Sequence, residues 1–321
     1  MKKIRLAIAG YGNLGRATIA NLSNFDDFEL VGIFSRRKLD IGYPAYSYED
    51  AKKLKGKIDV VLMCGGSAKD LPVQSPEMAA NFCIVDSFDT HADIPKHFEN
   101  VNTAAKKAKT LAAVAVGWDP GLFSLNRVMF DSILPKGADY TFWGKGVSQG
   151  HSDAIRKIDG VLRATQYTIP KEEAIAKIKE KGIPALTTRE KHLRECFVVA
   201  KEDADKAKIE KEIVTMPNYF ADYDTVVYFI SEDEWQKNHS ALPHGGFVLR
   251  KGNTSKENEM LLEFSIKLDS NPEFTSAVCL SYARAVVRMF KEGVTGCVTA
   301  FDVPIGYLSK HGNEVLRAKF L

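Results

Sequence analysis

A glycine turn, Gly10-Tyr11-Gly12-Asn13-Leu14-Gly15, joins an alternating apolar run (Ile4, Leu6, Ile8) to the helical pattern RATIANL. Strand, GxGxxG and helix in that order narrow the chain to a doubly wound α/β unit that binds a dinucleotide. Gly10 permits the tight turn, Gly12 lets backbone approach a pyrophosphate, and Gly15 lets the helix pack close to the strand. The helix N-terminus then offers N–H groups and a positive dipole end to the phosphates.

A second strand, FELVGIF, ends in Ser35-Arg36-Arg37. A carboxylate at that point would grip the ribose hydroxyls of NAD. A hydroxyl and two guanidiniums stand there instead, and arginine forks match a phosphate monoester, so the expected cofactor is NADP(H).

With 321 residues, the chain is long enough for two domains. A net charge of +3, with Lys and Arg interspersed among Asp and Glu, gives no basic stripe for nucleic acid. No apolar run has membrane length and no leader precedes the first strand, so the expectation is a cytoplasmic protein without a membrane partner. The five cysteines (Cys64, Cys83, Cys196, Cys279, Cys297) form no CxxC pair, and the seven histidines show no metal spacing. Buried reduced thiols and no metal are expected.

The strand–helix alternation continues to about residue 118. The expected third strand, IDVVLMCGGS, is a near-continuous apolar run suited to a parallel sheet covered on both faces. It ends in Cys64, Gly65, Gly66 and Ser67, small residues that leave room at the carboxyl edge where ligands bind. A fourth strand, FCIVDSFD, ends in Asp86, Ser87, Phe88 and Asp89, and a fifth is expected over TLAAVAVGWDPG. Right-handed crossovers put these ends on one side, which places Ser87, Phe88, Gly117, Trp118 and Pro120 at the cofactor. Asp89 and Asp119 can serve as helix caps. As a pair on adjacent strand ends beside the hydride site, they point to substrate binding.

After residue 119 the pattern changes to strands separated by amphipathic helices, KEEAIAKIKEKG among them, which predicts a mixed α+β sheet. Trp143-Gly144 and Val147-Ser148-Gln149-Gly150-His151-Ser152 read as a glycine-rich pocket rim. Arg194 lies in a strand, where it must be paired or exposed. Pro243-His244-Gly245-Gly246 reads as a loop, and Asn271 as a turn residue before Pro272. The long terminal helix FTSAVCLSYARAVVRMFKEG needs a partner and is expected to pack back on the first domain. The expected division is therefore a dinucleotide-binding domain of 1–118 joined by part of 272–321, and a substrate-binding and dimerisation domain of 119–271. Composition and spacing lead to a two-domain NADP-dependent oxidoreductase and leave its substrate open.

The segments GYGNLGR, LVGIFSRR, GWDPG, FWGKGVSQGHSDAIR, TMPNYF, PHGG and KLDSNPEFT closely resemble the meso-diaminopimelate D-dehydrogenase family, nearly end to end. The resemblance implies a homodimer that uses NADP to deaminate meso-diaminopimelate reversibly at its D-carbon, giving L-2-amino-6-oxopimelate and ammonia. It implies a phosphate turn at Tyr11, Gly12, Asn13 and Leu14, a 2′-phosphate clamp at Ser35, Arg36 and Arg37, and a further cofactor loop at Cys64, Gly65, Gly66 and Ser67. It implies a substrate pocket of Asp89, Asp119, Trp143, Gln149, Gly150, Thr168, Arg194, His244 and Asn271. Arg194, His244 and Thr168 are donors suited to a carboxylate. Asp89 and Asp119 are acceptors suited to an ammonium, and they are the expected catalytic pair. The base stays open between a relay through Asp119 and water. Two other readings remain, a dihydrodipicolinate reductase or a non-enzymatic NADP-binding regulator. The first lacks its basic His/Lys cluster here, and the second would not need the pocket set.

Overall fold

The computed structural model describes residues 2–321. Its first half runs β1 (Ile4–Ala9), α1 (Asn13–Asn21), β2 (Phe28–Phe34), β3 (Ala45–Tyr46), β4 (Val60–Met63), α2 (Leu71–Ala79), β5 (Ile84–Asp86), α3 (Ile94–Ala108) and β6 (Leu111–Ala113). After α4 (Leu122–Ile133) come β7 (Gly137–Trp143), β8 (Gly146–Val147), α5 (Gln149–Ile155), β9 (Val161–Pro170), α6 (Glu172–Lys179) and α7 (Thr188–Lys191). There follow β10 (His192–Ala200), α8 (Lys206–Val214), β11 (Asp224–Phe229), α9 (Glu232–Asn238), β12 (His244–Asn253) and β13 (Glu259–Leu268). The chain closes with α10 (Asn271–Lys291), β14 (Gly296–Val298) and α11 (Asn313–Phe320).

Two compact units emerge. One runs to Leu125 and resumes over Pro272–Leu321; the other is Asn126–Asn271. The division falls inside α4, later than residue 118, because Leu125 still packs on the core of the first unit.

The first unit is a parallel seven-stranded sheet of order β14-β6-β5-β4-β1-β2-β3. Alternation along β1 supplies both faces. Leu6 and Ile8 join one apolar cluster with Cys279, Leu280, Ala283 and Val286 of α10, and Ala7 and Ala9 join another with Met78 of α2 and Val101 and Ala105 of α3. Each fully buried Leu or Ile contributes about 1.5–3 kcal/mol. The apolar stripe of α10 is thus buried in the core of the first unit.

The sheet departs from expectation in three places. The short β3 and β14 are strands that the sequence pattern does not announce, and β6 ends at Ala113 rather than continuing through the GWDPG segment. Ala115 adopts a left-handed φ of 55°, which breaks the ladder. The chain then stays buried without being a strand: the Val114 N–H donates to Val298 O at 3.0 Å and the Val116 N–H to Asp86 O at 3.1 Å.

In the second unit the expected single mixed layer is two sheets. One has order β11-β10-β9-β8, with β10 and β11 parallel and the rest antiparallel; the other is the antiparallel β13-β12-β7. Of the Pro243–Gly246 stretch only Pro243 stays outside the sheet: His244, Gly245 and Gly246 begin β12, so the strand GGFVLRKGN stands and the loop is shorter than expected. A Cβ at either glycine would strike a neighbouring strand's backbone oxygen, Ile266 O for Gly245 and Phe142 O for Gly246. Close strand approach, not turning, is what these glycines permit.

Among the described residues no helix is long and apolar enough to cross a membrane, and the five cysteines are all free thiols.

Candidate active site

The sheet order reverses between β1 and β4, because β2 and β3 lie to one side and β4, β5, β6 and β14 to the other. Ligands of open α/β sheets bind at the carboxyl ends of the strands beside such a switch point. A cleft of about 440 Å³ opens there, lined by Gly10, Tyr11 and Gly12 after β1, Ser35, Arg36 and Arg37 after β2, and Cys64, Gly65 and Gly66 after β4.

The glycine turn is built as the motif demands. Gly10 has φ +109°, and a Cβ there would come within 2.9 Å of Cys64 O. A Cβ on Gly15 would collide with Gly10 O, whereas Gly12 faces open space. Gly12 caps α1 without a side chain, and the first turn, with Asn13, Leu14 and Gly15, carries no acidic residue. The helix end thus keeps the positive character that suits a diphosphate. Burial pushes the Cys64 thiol up to about 12, so it lines the cleft as a neutral group and not as a nucleophile.

Arg36 and Arg37 are exposed at the cleft mouth. The Ser35 hydroxyl accepts the Arg37 N–H at 3.1 Å, which shapes the turn between them. Sequence reading missed three side chains of this cleft: Tyr48, Asp70 and Gln74. Asp70 pairs with Arg36 at 3.0 Å and accepts the Gly66 N–H at 2.9 Å. Tyr48 donates its hydroxyl hydrogen to Gln74 Oε1 at 3.2 Å. Gly65 is required beneath them, since a Cβ would lie 2.7 Å from Gln74 Oε1 and 2.8 Å from Asp70 Cβ. The spacing of Asp70 four residues after Gly66 was a usable signal; Tyr48 had none.

The other strand ends of this unit are knit together. Ser67 Oγ accepts the Asp89 N–H at 2.9 Å, so the β4 and β5 ends meet. Ser87 is half-buried, Phe88 is buried and Asp89 is exposed. Gly117, Trp118 and Pro120 are buried and Asp119 is half-buried.

In the second unit the pocket residues gather around β9. Arg194 on β10 stands opposite Thr168 on β9, and Gly146 on β8 stands on Thr168's other side. Arg194 donates to Thr168 Oγ1 and lies 3.9 Å above the Tyr223 ring. Its side chain is buried, its Nε has no protein partner, and among the described residues it makes no ion pair. Beside it, Gln166 Oε1 is also buried without a partner. No carboxylate among the described residues neutralises this guanidinium, so a carboxylate ligand is its natural complement.

His244 packs against Gly146, where a Cβ would lie 2.6 Å from the imidazole. Its Nδ1 lies 2.8 Å from the Gly245 amide nitrogen and 3.0 Å from Gly245 O. The Asn271 N–H donates to Leu242 O at 3.0 Å, holding Asn271 near the start of β12. The Ser148 N–H donates to Gln166 O at 3.0 Å and sets Gln149 and Gly150 at the first turn of α5. The Trp143 N–H donates to His192 Nε2 at 3.0 Å, with the two rings stacked at 5.5 Å. Tyr223, Gln166 and His192 carry no local mark in the sequence, whereas His151 falls in the stretch that reads as a pocket rim.

Two of these histidines report on the site. Burial, reinforced by Arg194, lowers both His151 and His192 to about 3. Each is neutral when folded, while the unfolded chain takes up a proton below about 6.5. Their contribution is therefore complete above pH 6.5 and is lost as pH falls towards 3. Denaturant titrations should show stability falling by up to about 1.4 kcal/mol per pH unit for each histidine. His192→Gln should reduce the slope between pH 6 and 4 by up to about 1.4 kcal/mol per pH unit; an unchanged slope would mean that the imidazole is protonated in the fold.

The profile of the diaminopimelic acid dehydrogenase C-terminal domain matches residues 117–270. The meso-diaminopimelate D-dehydrogenase of Acetivibrio thermocellus is 55% identical, with 100% of this chain and 98% of the relative covered. Among solved structures, the Corynebacterium glutamicum diaminopimelate dehydrogenase in complex with DAP aligns with a TM-score of 0.95 at 43% identity, covering 100% of each chain. An engineered D-amino acid dehydrogenase bound to NADP+ aligns with a TM-score of 0.90 at 41% identity, again covering 100% of each.

Proposed function

The chain belongs to the meso-diaminopimelate D-dehydrogenase family, and from that premise we propose that it oxidises meso-diaminopimelate at its D-carbon with NADP+, releasing L-2-amino-6-oxopimelate and ammonia. The observation that carries this reading is Arg194, a buried guanidinium with an unpartnered Nε and no ion pair among the described residues.

The first unit fits the cofactor. Gly12 faces open space where a diphosphate would approach backbone, and Arg36 and Arg37 stand at the same cleft for a 2′-phosphate. Gly65, Gly66 and Ser67 would flank it, with Ser87, Phe88, Gly117, Trp118 and Pro120 towards the nicotinamide. When bound, NADP+ accepts the hydride of the D-carbon.

The protein's own groups bind and orient the substrate. Arg194, Thr168, His244 and Asn271 would hold the carboxylate and amine of the distal L-centre. Trp143, Gln149 and Gly150 would line the chain between the two ends. Asp89 and Asp119 would accept from the reacting ammonium. A carboxylate favours the charged amine, whereas oxidation needs the neutral one, so the proton must leave through Asp119 or through water, which also hydrolyses the imine. A homodimer belongs to the same reading, supported by apolar side chains exposed on the second unit: Val226 and Tyr228 of β11, and Met260 and Leu261 of β13.

The direct test is incubation with meso-diaminopimelate and NADP+. One ammonia released per NADPH formed is expected; NADPH without ammonia would refute deamination. The distal grip is tested by Arg194→Met. Losing the charged contact should cost about 3 kcal/mol, raising KM for diaminopimelate roughly a hundredfold. KM for NADP+ should hold within about twofold, and removing a buried charge need not unfold the protein. An unchanged substrate KM would make Arg194 structural.

A further inference from the structure

We propose that Asp86 is a positioning residue that ties together the two strand-end loops bearing Asp89 and Asp119, and so sets where the reacting amine is held. This rests on the assignment of Asp89 and Asp119 to the amine under Proposed function.

Asp86 ends β5, and its side chain is fully buried. It lies outside the cofactor cleft lining and was not a site expectation. One oxygen, Oδ1, accepts two backbone N–H groups, from Phe88 at 3.2 Å and from Ala115 at 3.0 Å. The first belongs to the loop that leads to Asp89, the second to the loop that leads to Asp119. The Asp86 carbonyl adds a third link by accepting the Val116 N–H at 3.1 Å. The other carboxylate oxygen, Oδ2, lies 2.7 Å from His97 Nε2 on α3. The His97 ring in turn stacks on Phe88 at 4.1 Å.

The surroundings show that this arrangement is built rather than incidental. Ala115 holds a left-handed φ of 55°, a conformation that a residue with a Cβ adopts only when its contacts compensate. Three donors converge on a buried anion, which is how a buried charge is made tolerable. The His97 Nδ1 is buried with no partner. Both loops are irregular backbone, tied elsewhere by the Asp89 N–H to Ser67 Oγ and the Val114 N–H to Val298 O, and the carboxylate joins the one loop to the other.

Asp86→Asn and Asp86→Ala separate tethering from charge. The asparagine oxygen keeps both amides, and its NH2 can donate to His97 Nε2 once the ring proton moves to Nδ1. Alanine removes the two side-chain links and the His97 contact and leaves only the backbone link to Val116. In Asp86→Ala, kcat/KM for meso-diaminopimelate should fall roughly thirtyfold or more, because small misplacements of reacting groups are costly. The Kd for NADPH should stay within about threefold, since its phosphates are held on β1 and β2. Asp86→Asn should remain within about threefold of wild type on both measures. Equal losses in the two variants, or a folded Asp86→Ala with unchanged kcat/KM, would overturn the tether. If Asp86→Ala does not fold, amide exchange in the wild-type enzyme decides. Slow exchange at Phe88 and Ala115, matching the core strands, supports the tether, and fast exchange at either overturns it. Asp89→Ala, assayed alongside, separates the two ideas. A silent Asp89→Ala refutes the amine assignment, whereas an impaired Asp89→Ala beside an unimpaired Asp86→Ala refutes the tether.

Discussion

Replacing Arg36 and Arg37 together by alanine should weaken NADPH binding by about 3 kcal/mol, somewhat over a hundredfold, and leave NADH binding almost unchanged. Both side chains stand at the mouth of the β1/β4 cleft, and the Ser35 hydroxyl shapes the turn between them. A ribose 2′-phosphate offers planar forks the oxygens they match; a ribose hydroxyl does not. Arg36 is 71% exposed and already paired with Asp70, so its net contribution is smaller than that of a buried pair. The same exposure makes the preference salt-sensitive: raising ionic strength should erode NADPH affinity more than NADH affinity. Fluorescence titration with each cofactor gives both constants. Equal losses for the two would show that the arginines serve the fold and not the phosphate.

The parts of this molecule that were legible in the sequence are those written in local patterns. The glycine turn fixes its own backbone, and period-two alternation in β1 assigns Leu6 and Ile8 to one face and Ala7 and Ala9 to the other. The spacing along α10 exposes its buried stripe. What stayed hidden depends on residues far apart in the chain. Gly245 and Gly246 read both as the end of a PHGG loop and as the start of the strand GGFVLRKGN; they lie in β12, where neighbouring backbones leave no room for a Cβ. β14 has three residues and pairs only with β6, so no pattern announces it. Asp86 looked like the end of a strand; its role depends on Ala115 and His97, which the sequence does not mark. Tyr223 lies under Arg194 only because β10 and β11 bring their neighbourhoods together. Arg194 itself was legible as an arginine in a strand that had to be paired or exposed. The structure shows a third state, buried and without an ion pair among the described residues.

A two-ended grip makes stereochemistry the most demanding consequence. Meso-diaminopimelate has one D and one L centre. If Arg194, Thr168, His244 and Asn271 read the L-centre, the other end reaches the nicotinamide with fixed handedness, and Asp89 and Asp119 orient its ammonium so that the D-hydrogen faces the ring. The L,L isomer held by the same grip would present its amine or carboxylate there instead. It can occupy the pocket, so it should compete with the meso form without turning over. The deciding measurement is NADPH formation from the separated meso and L,L isomers at equal concentration. The account predicts steady turnover of the meso form, none of the L,L form, and competitive inhibition by the latter; comparable NADPH production from both would contradict it.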